Sequence, residues 1–274
     1  MNYRHAFHAG NFADLLKHAL LSELLAALTA DAAALTVIDT HAGAGVYDLG
    51  GAMARKTGEA ERGIAVLMAD SDAPATFDRL KQAVRRANGG GPVRLYPGSP
   101  LLIAHALRAR DAYIACELRS DDYAALKQAL PRGGGALALM ADGWTVAIER
   151  TRRPPARMFV LIDPPFERAD DYERIVETVA AVLRNNRAAV IAVWLPIKDL
   201  ATYDAFLGDL EDALAATRRM VAEVRLRDLS DPTKMNGCAL VVINPPASLG
   251  RAARAVGEWI ARRLGETGAR AQIT

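Results

Sequence analysis

Apolar positions recur along this chain in two periods that take turns. From Phe12 to Leu28, the leucines 16, 20, 24 and 28 fall four residues apart, which is one face of an amphipathic helix. Asn11 ahead of them, with Asp14 three residues on, has the layout of a capping box in which aspartate replaces the usual glutamate. Leu35 to Asp39 is a short apolar strand, and residues 40–51 form a glycine-rich loop. Helices are predicted over 62–70 and 74–88, the second stopped by Gly89-Gly90-Gly91-Pro92, with a short strand-like piece at Val93 to Tyr96. Gly98-Ser99-Pro100 places serine at an N-cap and proline at the first helical position, and so predicts a helix to about Arg110.

The alternation then continues. Strands at Ala112–Cys116, Leu137–Met140, Phe159–Ile162 and Ala188–Leu195 are separated by helices at 120–130, Trp144–Glu149 and Tyr172–Arg184. A helix from Ala201 to Ala215 follows. Met220–Leu226 and Ala239–Ile243 can pair as a hairpin, and 251–264 is a closing helix. Strands alternating with helices predict an α/β fold, Rossmann-like, with a mostly parallel sheet covered by helices on both faces. The hairpin would place one antiparallel strand in it. The expectation is a single domain over 1–274 with a seven-stranded sheet and a small helical subdomain inserted at 48–96, between the glycine loop and the first Rossmann helix.

Bulk properties narrow the class only slightly. The chain has 274 residues, 51% of them apolar, yet no apolar run approaches the roughly 18 residues of a membrane span. The first residues lack the apolar stretch of a signal peptide. Cys116 and Cys238 are too few for a disulfide framework or a cysteine zinc site, which points to a reducing cytoplasm. A net charge of +2 does not by itself mark a nucleic-acid binder. The arginine clusters at 150–157, 184–187, 218–219, 225–227 and 262–263 are solvated faces in the main, with some available to phosphates. His5, His8, His18 and His41 match no zinc spacing, so no metal is expected. Nothing demands a dimer, and a monomer is expected.

The chemistry gathers at strand ends. The first strand runs into Asp39-Thr40-His41-Ala42-Gly43-Ala44-Gly45, an acid followed by glycines that let a ligand approach the backbone. It is neither a dinucleotide fingerprint, since position 48 is Asp, nor a P-loop, since no Gly-Lys-Ser/Thr is present. Glu117 ends a later strand, where an acid can accept from both hydroxyls of a ribose. It stands 78 positions after Asp39 instead of the usual ~20, and the excess is the basis for the insertion. Ser99, at the helix start that resumes the domain, can bind a ligand carboxylate, act as a simple cap, or do both. Asp142-Gly143 follows the next strand and suits an adenine amino group with close ring approach. Asp39, Glu117, Asp142 and Asp163 thus stand at four strand tips, where ligands bind in open α/β sheets.

Asp163-Pro164-Pro165-Phe166 is the most specific of these. Two prolines forbid both helix and ladder, leaving a rigid corner with unpaired polar groups and a flat ring beside them. Asp163 and the Pro164 carbonyl can accept the two hydrogens of a planar amino group while Phe166 stacks on the attached base. The tetrad resembles the catalytic motif of amino-directed nucleic-acid methyltransferases.

The amino terminus extends that resemblance. Tyr3-Arg4-His5-Ala6-Phe7-His8-Ala9-Gly10-Asn11-Phe12-Ala13-Asp14-Leu15-Leu16-Lys17-His18 resembles the opening signature of the RlmJ (YhiR-type) family. The likeness continues through Asp39 to Gly45, Tyr96-Pro97-Gly98-Ser99-Pro100, Glu117, Ala141-Asp142-Gly143, Leu161 to Pro165 and Asn244-Pro245-Pro246. It implies a class I methyltransferase fold and methyl transfer from S-adenosylmethionine to an adenine N6 of large-subunit (23S) ribosomal RNA. It further implies cofactor contacts at His18, His41, Ser99, Glu117, Asp142, Gly143 and Asp163, alongside Asp39 and Gly43 of the glycine loop. Asp163 is implied as the catalytic residue and Tyr3 as one that meets the RNA, with Arg4 and Lys17 expected at phosphates. The family commonly carries tyrosine where this chain has Phe166, so stacking survives without a hydroxyl. Asn244-Pro245-Pro246 lacks a ring at Ala247 and reads as a structural strand end. The rival readings are a DNA adenine-N6 methyltransferase, an NAD-dependent oxidoreductase on a Rossmann sheet, and a non-enzymatic RNA-binding protein.

Overall fold

The structure is a computed structural model that describes residues 4–131, 135–153, 155, 157–214, 217–229, 231 and 233–274. Tyr3 and Ala215 lie outside the described residues. The chain opens with α1 (Phe12–Leu28), β1 (Thr36–Asp39), β2 (Val46–Asp48), α2 (Ala52–Thr57), α3 (Ile64–Ala69), α4 (Asp78–Ala87) and β3 (Leu95–Pro97). It continues through α5 (Ser99–Ala106), β4 (Ala112–Cys116), α6 (Ser120–Ala129), β5 (Ala136–Leu139), α7 (Gly143–Thr151), β6 (Met158–Ile162) and α8 (Asp171–Asn185). The last elements are β7 (Val190–Ile197), α9 (Leu200–Leu214), β8 (Arg219–Arg225), β9 (Gly237–Ile243), α10 (Leu249–Leu264) and β10 (Arg270–Ile273).

The main sheet has the order β10-β8-β9-β7-β6-β1-β4-β5. The five strands from β7 to β5 are parallel, β9 runs against both β7 and β8, and β10 runs against β8. The expected hairpin is therefore present as β8 and β9. The sheet has eight strands instead of the expected seven. The extra one is β10, only four residues long, and its alternating Arg-Ala-Gln-Ile is too short to stand out in sequence. It exists because it can pair along β8, with Ala271 and Ile273 packed toward the core.

Strand pleating sorts the core into two layers. Val37, Tyr113, Ala115, Phe159, Leu161, Ala192, Ala222 and Leu240 face one layer, which α1, α5, α6 and α10 complete. Ile38, Ile114, Cys116, Val160, Ile162, Ile191, Val193 and Val241 face the other, filled by Trp144 of α7, Ile175 and Val179 of α8, and Tyr203 and Phe206 of α9. Helices thus cover both faces, as strands apolar on both sides require.

Two helices differ from their sequence pattern. The Asn11 side chain does accept from the Asp14 amide at 3.0 Å, but the Asp14 carboxylate reaches back to the Gly10 amide at 2.9 Å, one residue outside a capping box. Helix α1 is also not amphipathic. Leu15, Leu16, Leu20, Leu21, Leu24 and Leu25 are all buried, because α4, α5 and α10 surround it on the side away from the sheet. Helix α5 ends at Ala106, short of Arg110, because Leu107 is extended and Arg108 turns to clamp Asp111 with two hydrogen bonds of 2.8 Å from its guanidinium.

The segment between β1 and α5 carries its own two-stranded ribbon, β2 with β3, plus α2, α3 and α4. It is tied to the sheet through α10. Trp259 is 1% exposed, packs edge-on against Phe77 at 4.9 Å between centroids, and donates its indole N–H to Asp70 at 2.9 Å. Replacing it with alanine removes the ring and one of the donors to that carboxylate, which keeps Arg263 and the Asp72 amide. Trp259→Ala should lower unfolding stability by about 3–5 kcal/mol in a urea titration, and an unchanged midpoint would show that the segment is held by other means.

Candidate active site at the rim of the sheet

Strand β1 lies between β6 and β4, so the chain leaves it in opposite directions across the sheet. That reversal opens a crevice at the carboxyl ends of the strands. A cleft of about 1060 Å³ occupies it, lined by residues of the amino-terminal segment, the glycine loop and the tips of β4, β6 and β7. Four acids stand at neighbouring tips. Asp39 is the last residue of β1, Glu117 follows β4, Asp142 follows β5 and Asp163 follows β6.

The four do not play equal parts. Asp39 is wholly buried and does not line the cleft. Its Oδ2 accepts from the Ser99 hydroxyl at 3.0 Å and the Tyr113 hydroxyl at 3.2 Å. Burial pushes its carboxyl up to about 7; the hydrogen bond from Ser99 opposes that rise, and the charge of Asp163 adds to it. Asp39 is thus a support behind the surface, not the direct ligand contact expected of it. Ser99 also differs from expectation. Gly98 is the N-cap of α5, and the Ser99 hydroxyl is spent on Asp39 instead of a helix amide.

Glu117 and Asp142 do face the cleft. The Glu117 carboxylate accepts from the Gly43 amide at 3.0 Å and the Arg119 amide at 2.7 Å, and burial is the main reason its carboxyl lies above the usual range. Gly43 has φ +67°, and a side chain there would meet the Tyr47 hydroxyl at 2.4 Å. Asp142 is the N-cap of α7, accepting from the Thr145 amide and from Arg174 at 3.1 Å each. Burial raises its carboxyl, but those two donors outweigh it and leave the group below the usual range. Gly143 brings its backbone so close to Thr40 that a Cβ would sit 2.0 Å from the carbonyl oxygen. Only glycine can bring α7 this near the β1 tip.

Two of the histidines that line the cleft, His18 and His41, are neutral at pH 7. His18 is 1% exposed and shares a 2.7 Å hydrogen bond with the Tyr96 hydroxyl; burial pushes it down to about 3. His41 is pushed down by burial to about 4, and its ring lies 4.7 Å edge-on to Trp144. The Thr40 hydroxyl oxygen lies 2.7 Å from His41 Nδ1 and 3.1 Å from the Leu161 carbonyl oxygen; when the hydroxyl donates to that carbonyl, His41 Nδ1 is the donor and Nε2 the acceptor.

At the Asp163 corner, Lys17 donates to Asp163 Oδ2 at 2.7 Å and lies 3.1 Å from Asp14 Oδ1. Lys17 is only 5% exposed. Expected at RNA phosphates, it is instead committed inside the site. Asp163 Oδ1 accepts no hydrogen bond among the described residues. Pro164 lines the cleft beside it. Phe166 adopts φ +51°, a left-handed conformation costing an aromatic residue about 1–2 kcal/mol. Its ring rests on Tyr172 at 5.1 Å and Trp194 at 5.8 Å. Arg4 stands at the mouth in an ion pair with Asp121, half-exposed.

Sequence reasoning missed several members. Asp14, read only as a cap, is buried in the site; burial acts to raise its carboxyl, yet the positive charge of His5 and Lys17 holds it well below the usual range. Its spacing from Lys17 and His18, three and four residues along one helix face, was the available signal. Tyr113, Arg174 and Trp194 come from other elements and left none.

Comparisons with known proteins place the chain in a family. Residues 32–273 match the family described as ribosomal RNA large subunit methyltransferase D, RlmJ. The chain belongs to the RlmJ family. It is 34% identical over 268 residues to ribosomal RNA large subunit methyltransferase J of Escherichia coli, covering 96% of this chain and 94% of that one. The Haemophilus influenzae protein of the same name is 33% identical over 251 residues, covering 91% and 89%. A crystal structure of a Legionella pneumophila protein superposes with a TM-score of 0.89 at 28% identity, over 97% of this chain and 98% of that one. The likeness to RlmJ proteins therefore spans both the sheet and the segment between β1 and α5.

Asp39 supplies a pH signature. Its native carboxyl titrates near 7, well above the ~3.9 of an unfolded aspartate. The folded state therefore holds a proton that the unfolded chain has released, and that stabilisation is full below about pH 4 and disappears as pH rises through 7. Thermal melts from pH 5 to 8 should show wild type losing stability across that window relative to Asp39→Asn, by on the order of a few kcal/mol. Parallel curves for the two proteins would mean that Asp39 is ionised throughout.

Proposed function

We propose that this chain transfers a methyl group from S-adenosylmethionine to N6 of an adenine in large-subunit (23S) ribosomal RNA. The observation that carries the proposal is the state of Asp163. One of its carboxylate oxygens is held by Lys17, while the other is open toward a cleft that Glu117 and Asp142 also line.

The residues present fit the cofactor. Gly143 lets α7 pack directly on the Thr40 backbone, which holds Asp142 at the cleft wall, where its carboxylate suits the amino group of an adenine. Glu117, fixed by two backbone amides, suits a pair of ribose hydroxyls. The acids along this half of the cleft suit a ligand that carries a sulfonium. When bound, that cofactor supplies an already activated methyl group, so the protein's task is alignment.

For the base, Asp163 Oδ1 and the Pro164 carbonyl accept the two amino hydrogens. This draws the nitrogen lone pair out of conjugation and toward the donor. Lys17 keeps the Asp163 carboxylate from turning away and balances its charge. Phe166, backed by Tyr172 and Trp194, offers its ring to the purine. An adenine paired in a helix cannot enter this corner, so the base must be extruded. Residues 48–96 are read as an insertion in a single domain, since β2 and β3 pair with each other and not with the main sheet. The protein is read as a metal-free cytoplasmic monomer, and Tyr3, Arg4 and the cleft's other cations as its RNA contacts. No helix among the described residues is long and apolar enough to cross a membrane.

Asp163→Asn should lower kcat by on the order of 10²-fold or more. Calorimetry with S-adenosylhomocysteine should give an affinity within a few-fold of wild type. Full activity in this variant removes Asp163 from the chemistry. The nucleic acid is tested separately. Nucleosides from the RNA and DNA of cells lacking the protein, compared with complemented cells, should show N6-methyladenosine restored in the large-subunit RNA alone. Restoration in DNA would favour the DNA reading.

A further inference from the structure

The cleft is divided by charge along the sheet. Its β4–β5 half presents Glu117, Asp122 and Asp142, and Arg4, Arg119 and Arg174 on that side are paired with Asp121, Asp122 and Asp142. Its β7–β9–β8 half presents Lys198, Arg227 and Lys234. The hydrogen bonding of that second half shows a built platform. Asn236, wholly buried, donates its amide N–H to the Ile197 carbonyl at 2.9 Å and its side-chain N–H to the carbonyls of Lys198 at 3.1 Å and Asp231 at 2.7 Å. Its own carbonyl accepts from the Leu226 amide at 2.9 Å. One side chain and its backbone therefore staple the ends of β7 and β8 to the start of β9, and set three cation-bearing residues at one height.

That height is where a nucleic-acid backbone would run. In the β6–β7 register Ile162 is opposite Val193, so Asp163 is level with Trp194. Lys198 lies four residues further up the same strand, roughly 13 Å above the floor. Trp194, Pro196, Leu226 and Met235 line the wall between. The cations are available to anions. Lys198 is exposed and makes no ion pair among the described residues. Arg227 has a buried Nε with no hydrogen-bond partner there, while its Nη2 meets the exposed Glu266 at 2.8 Å. Among the described residues Lys234 pairs only with Asp231, at 3.1 Å and at the surface. Such exposed pairs hold little energy and yield to a phosphate.

We infer that Lys198, Arg227 and Lys234 form a clamp for the RNA phosphates flanking the target adenosine, so that the base descends the wall to Asp163 while its backbone stays on the stapled strand ends. The inference rests on the reading of the site as a ribosomal RNA adenine methyltransferase. The phosphates flanking the target are drawn to the basic half and kept from the carboxylates of the other, with Arg4 at the mouth left to meet the RNA further along, which separates RNA from cofactor within a single cleft.

The test uses Lys198→Glu, Lys234→Glu and the double variant, all at exposed positions. Binding of a large-subunit ribosomal RNA fragment is read by fluorescence anisotropy at several salt concentrations, with methyl transfer and S-adenosylhomocysteine calorimetry alongside. Each single variant should weaken RNA binding about tenfold, raise KM for RNA with kcat nearly unchanged, and flatten the salt slope by roughly one. Cofactor affinity should stay at the wild-type value. Unchanged RNA affinity and salt slope would overturn the clamp, even with a fully active enzyme. An equal loss on duplex DNA of the same length would overturn its assignment to RNA. If wild type binds the RNA through these residues yet transfers no methyl group to it, the clamp stands and the proposed function falls.

Discussion

Two carboxyl groups at the tips of adjacent parallel strands set the terms for this site. Asp39 ends β1 and Asp163 follows β6; the two strands pair in parallel with Asp39 opposite Leu161, so Asp163 stands two residues further up on the same face of the sheet. Two bare negative charges there would repel strongly, because the surroundings are largely dry. The structure resolves this asymmetrically. Asp39 sinks into the core, titrates near 7 and is held by Ser99 and Tyr113. Asp163 stays at the surface of the cleft, with the Lys17 ammonium against one oxygen. One acid becomes scaffold and the other stays at the wall of the cleft.

Burying Lys17 has consequences of its own. An ammonium is costly to remove from water unless paired. Asp14 provides the second partner, and Asp14 is itself anchored by the Gly10 amide and His5. Helix α1 is therefore more than core filling. Its apolar residues seat it against the sheet, α5 and α10, and its first two turns deliver Asp14, Lys17 and His18 into the cleft from the amino-terminal side. His18 reaches onward to Tyr96 of the β2–β3 ribbon, which joins the segment between β1 and α5 to the same network.

Close approach and strain are concentrated at the strand tips. Gly143 admits the Thr40 backbone at a distance no other residue tolerates, and Phe166 holds a left-handed φ just after two prolines. Asn244, in the similar Asn-Pro-Pro run after β9, also has a positive φ, yet its side chain is bound to the carbonyls of Arg187 and Ala189, away from the cleft. The two runs share a local conformation and differ in place. Backbone chemistry creates the corner, and sheet topology decides which corner faces a ligand.

Much of the sheet was legible in the sequence because each strand is a continuous apolar run, and such runs form where both faces are covered. The Asp-Pro-Pro-Phe corner, the acids at the tips and the glycines at 43 and 143 were legible too, since prolines and glycines impose backbone geometry locally. Strands β2 and β10 were not, because short alternating segments become strands only when a partner edge is in reach. Likewise, the burial of Asp39, the move of Lys17 from a supposed phosphate contact to a partner of Asp163, and the stapling of three strand ends by Asn236 arise from pairs distant in sequence. Local spacing determined which residue types stand at the rim. Tertiary packing alone decided which of them are dry, which are paired and which remain open to substrate, because desolvation and charge pairing depend on neighbours brought together only by folding.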